Sequence, residues 1–153
     1  MSYQTWHNYG YGICTDDIET DCSRLLKLIS LAPNFNDKFQ EKLEVWMGDN
    51  SVKSVEDLKL DEILDVLYYM DLWYGIASVI SVVVCEAEDI GLVDCDDFIG
   101  CDYVIFPTRL PWEYNEKELN MTVEDAENIF RKYVGILTDK TIVIDWQSVE
   151  NGG

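Results

Sequence analysis

The chain contains one histidine, three prolines, and 11 lysines and arginines against 30 aspartates and glutamates. Each shortage closes off chemistry. A cysteine nucleophile needs a base. Here that base has to be His7, with Cys14 or Cys22 brought to it, or Asp16 beside it in place of a thiol. A free cysteine is more commonly a buried, inert thiol. One histidine and no close cysteine pair do not make a zinc site. There is no glycine-rich phosphate loop, no G-x-S-x-G and no H-E-x-x-H. Acidic pairs are too plentiful here to single out a general acid and base. The expectation is a protein that is not an enzyme and has no catalytic residues, no cofactor and no metal.

Basic residues are absent from whole segments. None occurs from Leu60 to Thr108, where Asp61, Glu62, Asp65, Asp71, Glu86, Glu88, Asp89, Asp94, Asp96, Asp97 and Asp102 lie, and none occurs in residues 1–23. The formal net charge is −19. Binding to phosphate backbones rests on Lys and Arg, so direct contact with nucleic acid is excluded and attraction to basic partners is expected. The plainer alternative is that surplus acid only keeps the protein in solution.

No apolar run reaches the roughly 20 residues of a membrane span, because Asp71 and Glu86 bracket the longest one. A basic segment followed by an apolar one, the mark of a secretory signal, is also missing, so a cytoplasmic location is expected. Five cysteines, an odd number without C-x-x-C spacing, fit reduced thiols rather than a disulfide framework.

What is present is a chain of 153 residues, 48% hydrophobic and 12% aromatic, enough for one domain with a sizeable core. It is organised around the stretch from Gly75 to Trp112. Val and Ile dominate its first part, which favours a strand. Yet Ile76, Val79, Ile80, Val83, Val84, Ala87 and Ile90 recur at helical spacing. The spacing predicts a buried helix over 75–90, with Gly91 as its left-handed cap. Leu92–Phe98 and Asp102–Pro107 then read as a hairpin around Ile99–Gly100.

Elsewhere, Tyr3–Thr15 reads as an opening strand kinked at its glycines. Its Trp6, His7, Tyr9 and Tyr11 serve either as a recognition surface or as packing over a sheet. Asp16 with Glu19 predicts a helix start bearing Ile18, Cys22, Leu25, Leu26 and Ile29, stopped by Pro33. Asn34 or Asn36 caps a second helix ending before Gly48. Ser54 with Asp57 starts a third, and Thr122 with Asp125 starts a fourth along Val123, Ala126, Phe130, Tyr133 and Leu137. Thr141–Trp146 reads as a last strand, followed by a polar tail over 150–153. The fold class expected is a single α+β domain over 1–153. Its helices pack on a small, mainly antiparallel sheet made of the N-terminal strand, the hairpin near 92–107 and the C-terminal strand near 141–146.

A calcium loop counted from Asp94 fails, because Phe98 and Ile99 fall where an oxygen ligand and a glycine are required. The acids Glu86, Glu88, Asp89, Asp94, Asp96, Asp97 and Asp102 are instead the candidate partner-binding residues. Several of them stand at a helix C-terminus, whose negative partial charge disfavours them.

Three segments, TWHNYGYGI, YVIFPTRLPW and IVIDWQSVENGG, together resemble small acidic proteins of phages and mobile elements from Gram-positive gut bacteria. In size and acidity the chain is also similar to anti-CRISPR proteins. The resemblance implies an inhibitor that uses carboxylates to cover a basic, nucleic-acid-binding surface on a partner protein, such as a Cas effector. The alternative is a mobile-element interaction domain that reads its partner through aromatics such as Trp6, Tyr9, Tyr11 or Trp112.

Overall fold

In a computed structural model, which describes residues 5–152, the uncharged aromatic segment near the N-terminus is strand β1 (Thr5–Cys14). Tyr3, Gln4 and Gly153 lie outside the described residues. Two helices follow, α1 (Cys22–Ser30) and α2 (Pro33–Asp49), then a 3₁₀ turn Val55–Asp57, α3 (Leu60–Tyr69) and α4 (Ile76–Glu88). The hairpin strands are β2 (Val93–Asp96) and β3 (Asp102–Pro107). A second 3₁₀ turn Pro111–Glu113, the single-turn α5 (Glu116–Leu119), α6 (Val123–Leu137) and β4 (Asp145–Gly152) complete the chain. The fold is the expected α+β domain, with four strands in one antiparallel sheet of order β2-β3-β1-β4. Among the described residues no helix is long and apolar enough to cross a membrane.

Helix α4 forms where its spacing predicts. Ala77, Val79, Ile80, Val83 and Val84 are buried against β2, β3, α1, α2 and α6, and each fully buried Val or Ile of this kind contributes about 1.5–3 kcal/mol. Its left-handed cap is Asp89 (φ 56°, ψ 45°) rather than Gly91. Aspartate tolerates that conformation, and it frees Gly91 to meet Arg109, described below.

Other boundaries move as well, and Ser54 caps only the 3₁₀ turn Val55–Asp57 while α3 starts at Leu60. Asp16 does not start a helix, because its carboxylate accepts the Asp102 N–H (3.0 Å) and so ties the chain to β3. The cap of α1 is Asp21, which accepts from Arg24 N. Pro33 opens α2 instead of stopping α1; at the first helical position its missing N–H costs nothing. Neither Asn34 nor Asn36 caps α2, and Gly48 lies inside it. The last strand begins at Asp145, at the end of the expected Thr141–Trp146 segment, and runs through the stretch read as a polar tail. Main-chain pairing with β1, from Gly12↔Asp145 to Thr5↔Gly152, holds it there in spite of its polar side chains.

The sheet has two buried faces. Ile13 and Val104 join the helix-side core. By strand alternation Cys95, Ile105 and Val149 lie on the other face, and they too are buried. The sheet curls around that second face until its two edges meet, and Asn151 Nδ2 on β4 donates to Asp96 O (3.2 Å) and Oδ1 (2.8 Å) on β2. Gly10 and Gly12 permit the curl. A Cβ at either would stand 2.2 Å from a carbonyl oxygen of β3, Phe106 O or Val104 O.

Candidate functional site

The seven candidate acids separate into two groups. Glu86, Glu88 and Asp89 lie at the end of α4, and the carboxylates of Glu86 and Glu88 bind within the protein. The Oε atoms of Glu86 accept the N–H groups of Asn34 and Phe35, each at 2.9 Å, and so cap α2 from a neighbouring helix. Oε1 of Glu88 accepts from the Tyr133 hydroxyl (2.7 Å) and from Lys132 (3.2 Å), and its Oε2 pairs with Lys117. Burial pushes the Glu88 carboxyl up, but the hydrogen bonds from Tyr133, Lys132 and Lys117 outweigh it and hold the group below its usual value. Asp89 turns the chain, and its carbonyl accepts from Asn115 Nδ2. The repulsion expected at this helix end is therefore answered by lysines that are 29 and 44 residues away in sequence.

The hairpin acids differ. Asp94 Oδ2 accepts from the Ser78 hydroxyl (2.7 Å), and Asp96 from Asn151. Asp97 closes the turn, accepting from Ile99 N (3.0 Å) and Cys101 N (2.9 Å) on one oxygen and from the Tyr103 hydroxyl (3.1 Å) on the other. Burial raises Asp97, while the bonds from Cys101, Tyr103 and Ile99 bring it net below the usual carboxylate value. Asp96 and Asp102 face each other across the β2–β3 ladder. Burial, with Asp16, Asp96, Asp97 and Asp94 around it, pushes Asp102 up to about 6. Cys95, on β2 between Asp94 and Asp96, is pushed up to about 11 by burial and the neighbouring acids.

Among the described residues, all the donors to the hairpin carboxylates are neutral. Six ion pairs occur among the described residues, and none includes Asp94, Asp96, Asp97 or Asp102. The result is an ordered set of carboxylates whose charge is not cancelled. No three His, Cys, Asp or Glu side chains among the described residues converge to hold a metal ion.

His7 is not paired with a thiol. Its Nε2 meets Ser148 Oγ at 2.6 Å on the exposed sheet. Cys14 lies seven residues further along β1, about 23 Å away at strand rise, and Cys22 donates to Leu58 O. Asp16, beyond Cys14, is committed to Asp102 N. Of the aromatics, Trp6, Tyr9 and Trp112 are exposed, and Tyr9 stacks on Trp146 at 5.6 Å. Tyr11 is buried, with its hydroxyl donating to Ile144 O, so it packs rather than reads.

Sequence reasoning missed Asn8, Tyr74, Ser78 and Asn151, which converge with Trp6 on the hairpin acids. No local signal marks them, because they come from separate parts of the chain. No protein-family model, curated protein or solved structure matches this chain. What the protein does has to be read from its own geometry.

Proposed function

We propose that this is an acidic binding protein that occupies a basic, nucleic-acid-binding surface on a partner protein. The observation that carries the reading is the hairpin face. Asp94, Asp96, Asp97 and Asp102 are fixed by neutral donors or by the strand ladder, and no cation among the described residues pairs with them. Carboxylates held rigidly and left charged present an anionic array to a basic groove with little ordering cost on binding. Glu86, which no cation among the described residues pairs with, contributes to the long-range field while capping α2, whereas Glu88 is paired with Lys117 and Lys132 and serves the fold. An RNA-guided nuclease of the Cas type, with a strongly basic channel for guide and target, is the partner class to test first, with the protein as its inhibitor.

The test is binding of the intact protein to such a nuclease at low and high salt, beside the variant D94N/D96N/D97N/D102N. Asparagine keeps the acceptor oxygens and removes the charge. Binding that weakens with salt and with the variant supports the reading. Absence of binding, or binding indifferent to both, overturns it. Binding that survives the variant but is lost in Trp112→Ala assigns recognition to the aromatics instead.

A further inference from the structure

Where the sheet curls and its edges meet, a cleft of about 470 Å³ opens between β1, β2 and β4, with Tyr74 from the turn before α4 in its wall. Trp6 and Tyr74 supply aromatic surface, Asp94 and Asp96 supply carboxylates, and Asn8 and Asn151 supply amides. Trp6 is 56% exposed, although it lines this cleft.

Two features distinguish the cleft. Four other clefts each include a cation in the wall: Lys42 between α2 and α3, Arg24 and Lys140 beside α1, Lys53 beside α2, and Lys38 beside α4. This one includes none, and its segments all come from stretches of sequence without Lys or Arg. Its carboxylates are also held in place. Tyr74 N–H donates to Ser78 Oγ (3.0 Å), whose hydroxyl donates to Asp94 Oδ2 (2.7 Å), and Asn151 Nδ2 holds Asp96 Oδ1 (2.8 Å). Among the described residues nothing donates to the second oxygen of either carboxylate. The Tyr74 hydroxyl is raised by burial and then by Asp96 and Asp94, as expected of a phenol that shares the cleft with them.

We infer that this cleft receives an arginine side chain from the partner protein. It combines two carboxylates that no cation among the described residues pairs with and two aromatic side chains in a cleft of about 470 Å³. Guanidinium fits better than ammonium. It is planar, it offers several N–H groups to two carboxylates at once, it stacks on aromatic faces, and it sheds water more readily than the lysine ammonium. The inference rests on the binding reading above and gives it an anchoring point.

The experiment titrates the intact ¹⁵N-labelled protein with N-acetyl-arginine methylamide, the matching lysine compound and the uncharged norleucine compound. The Trp6 indole and Asn151 amide signals report on the cleft. Expected are saturable shifts at both with the arginine probe, weaker shifts with lysine and none with norleucine. In D94N/D96N, which keeps the acceptors of Ser78 and Asn151, the arginine Kd rises by about tenfold. Shifts that are absent, equal with norleucine, or unchanged in D94N/D96N overturn the inference. The two readings fail separately. Salt-dependent binding to a basic protein without any probe binding removes the arginine cleft alone, whereas probe binding without any basic protein partner removes the proposed function alone.

Discussion

Asp96 and Asp102 occupy directly opposed positions on β2 and β3, so two carboxylates face each other across one rung of the ladder. Like charges in this arrangement are destabilising, and Asp102 carries the consequence, raised to about 6 by burial and by Asp16, Asp96, Asp97 and Asp94. Its folded value lies above its unfolded one. The stabilising contribution is therefore fully present below about pH 4 and is lost as pH rises through about 6. Asp102→Asn is expected to stabilise the protein by about 1 kcal/mol at neutral pH, after allowance for solvent screening, and to have no effect near pH 4. Urea unfolding of both proteins at the two pH values measures it, and a gain that persists in acid would contradict it.

Glu86 caps a helix that is not its own. In Glu86→Ala the N–H groups of Asn34 and Phe35 lose their shared acceptor, a loss of about 1–2 kcal/mol. Glu86→Gln keeps one acceptor oxygen and is expected to cost less. Hydrogen exchange at these two amides separates a capping role from a purely solvent-facing one, because only a cap leaves them faster in the alanine variant.

Arg109 and Glu118 form the most enclosed ion pair among the described residues, at 3.0 Å, with the Glu118 side chain 5% exposed. Arg109 also donates to Gly91 O, and Glu118 accepts from Gly91 N and Asn115 N. Burial raises the Glu118 carboxyl, but the Asn115 and Gly91 N–H groups and the Arg109 charge pull it lower overall. Arg109→Met leaves a buried carboxylate without its cation and is expected to cost about 3 kcal/mol at neutral pH. The double variant R109M/E118M removes the unpaired charge but leaves the Gly91 and Asn115 N–H groups without their acceptor, so it should recover part of that loss. Chemical unfolding of R109M, E118M and R109M/E118M forms the cycle, and additive effects would show that the pair is not coupled.

Gly10 and Gly12 are required by close approach of two backbones. Alanine at either meets a β3 carbonyl oxygen at 2.2 Å and is expected to destabilise by about 3 kcal/mol or more. Gly135 on α6 faces open space where a Cβ would stand, so alanine there should stabilise by about 0.5–1 kcal/mol through helix propensity. Thermal unfolding distinguishes them, and equal effects at Gly12 and Gly135 would show that the curl of the sheet does not depend on glycine.

Much of the fold was legible where a local pattern coincides with its tertiary use. Helix α4 was readable because one face of it is apolar at helical spacing, and α6 because Thr122 and Asp125 exchange hydrogen bonds across three residues. Four readings failed for a common reason, which is that a distant partner took the group in question. Asp16 was claimed by Asp102 N rather than by a helix start. The start of α2 was capped by Glu86, and Arg109 reached Gly91 in place of a left-handed cap. The polar segment after Trp146 became strand because β1 offered main-chain partners along its length.

The candidate acids were legible as a group but not in their roles. Composition and the stretches without basic residues determined by themselves that the protein is strongly anionic and that its charge concentrates around the hairpin. Only the tertiary structure decided which acids are neutralised. It brought Lys117 and Lys132 to Glu88, whereas among the described residues Glu86, Asp94 and Asp96 have only neutral donors, the last two lining one cleft with Trp6 and Tyr74. The physical reason is range. Net charge is a sum over the chain, whereas neutralisation and hydrogen bonding act over a few ångströms, and folding alone sets those neighbours.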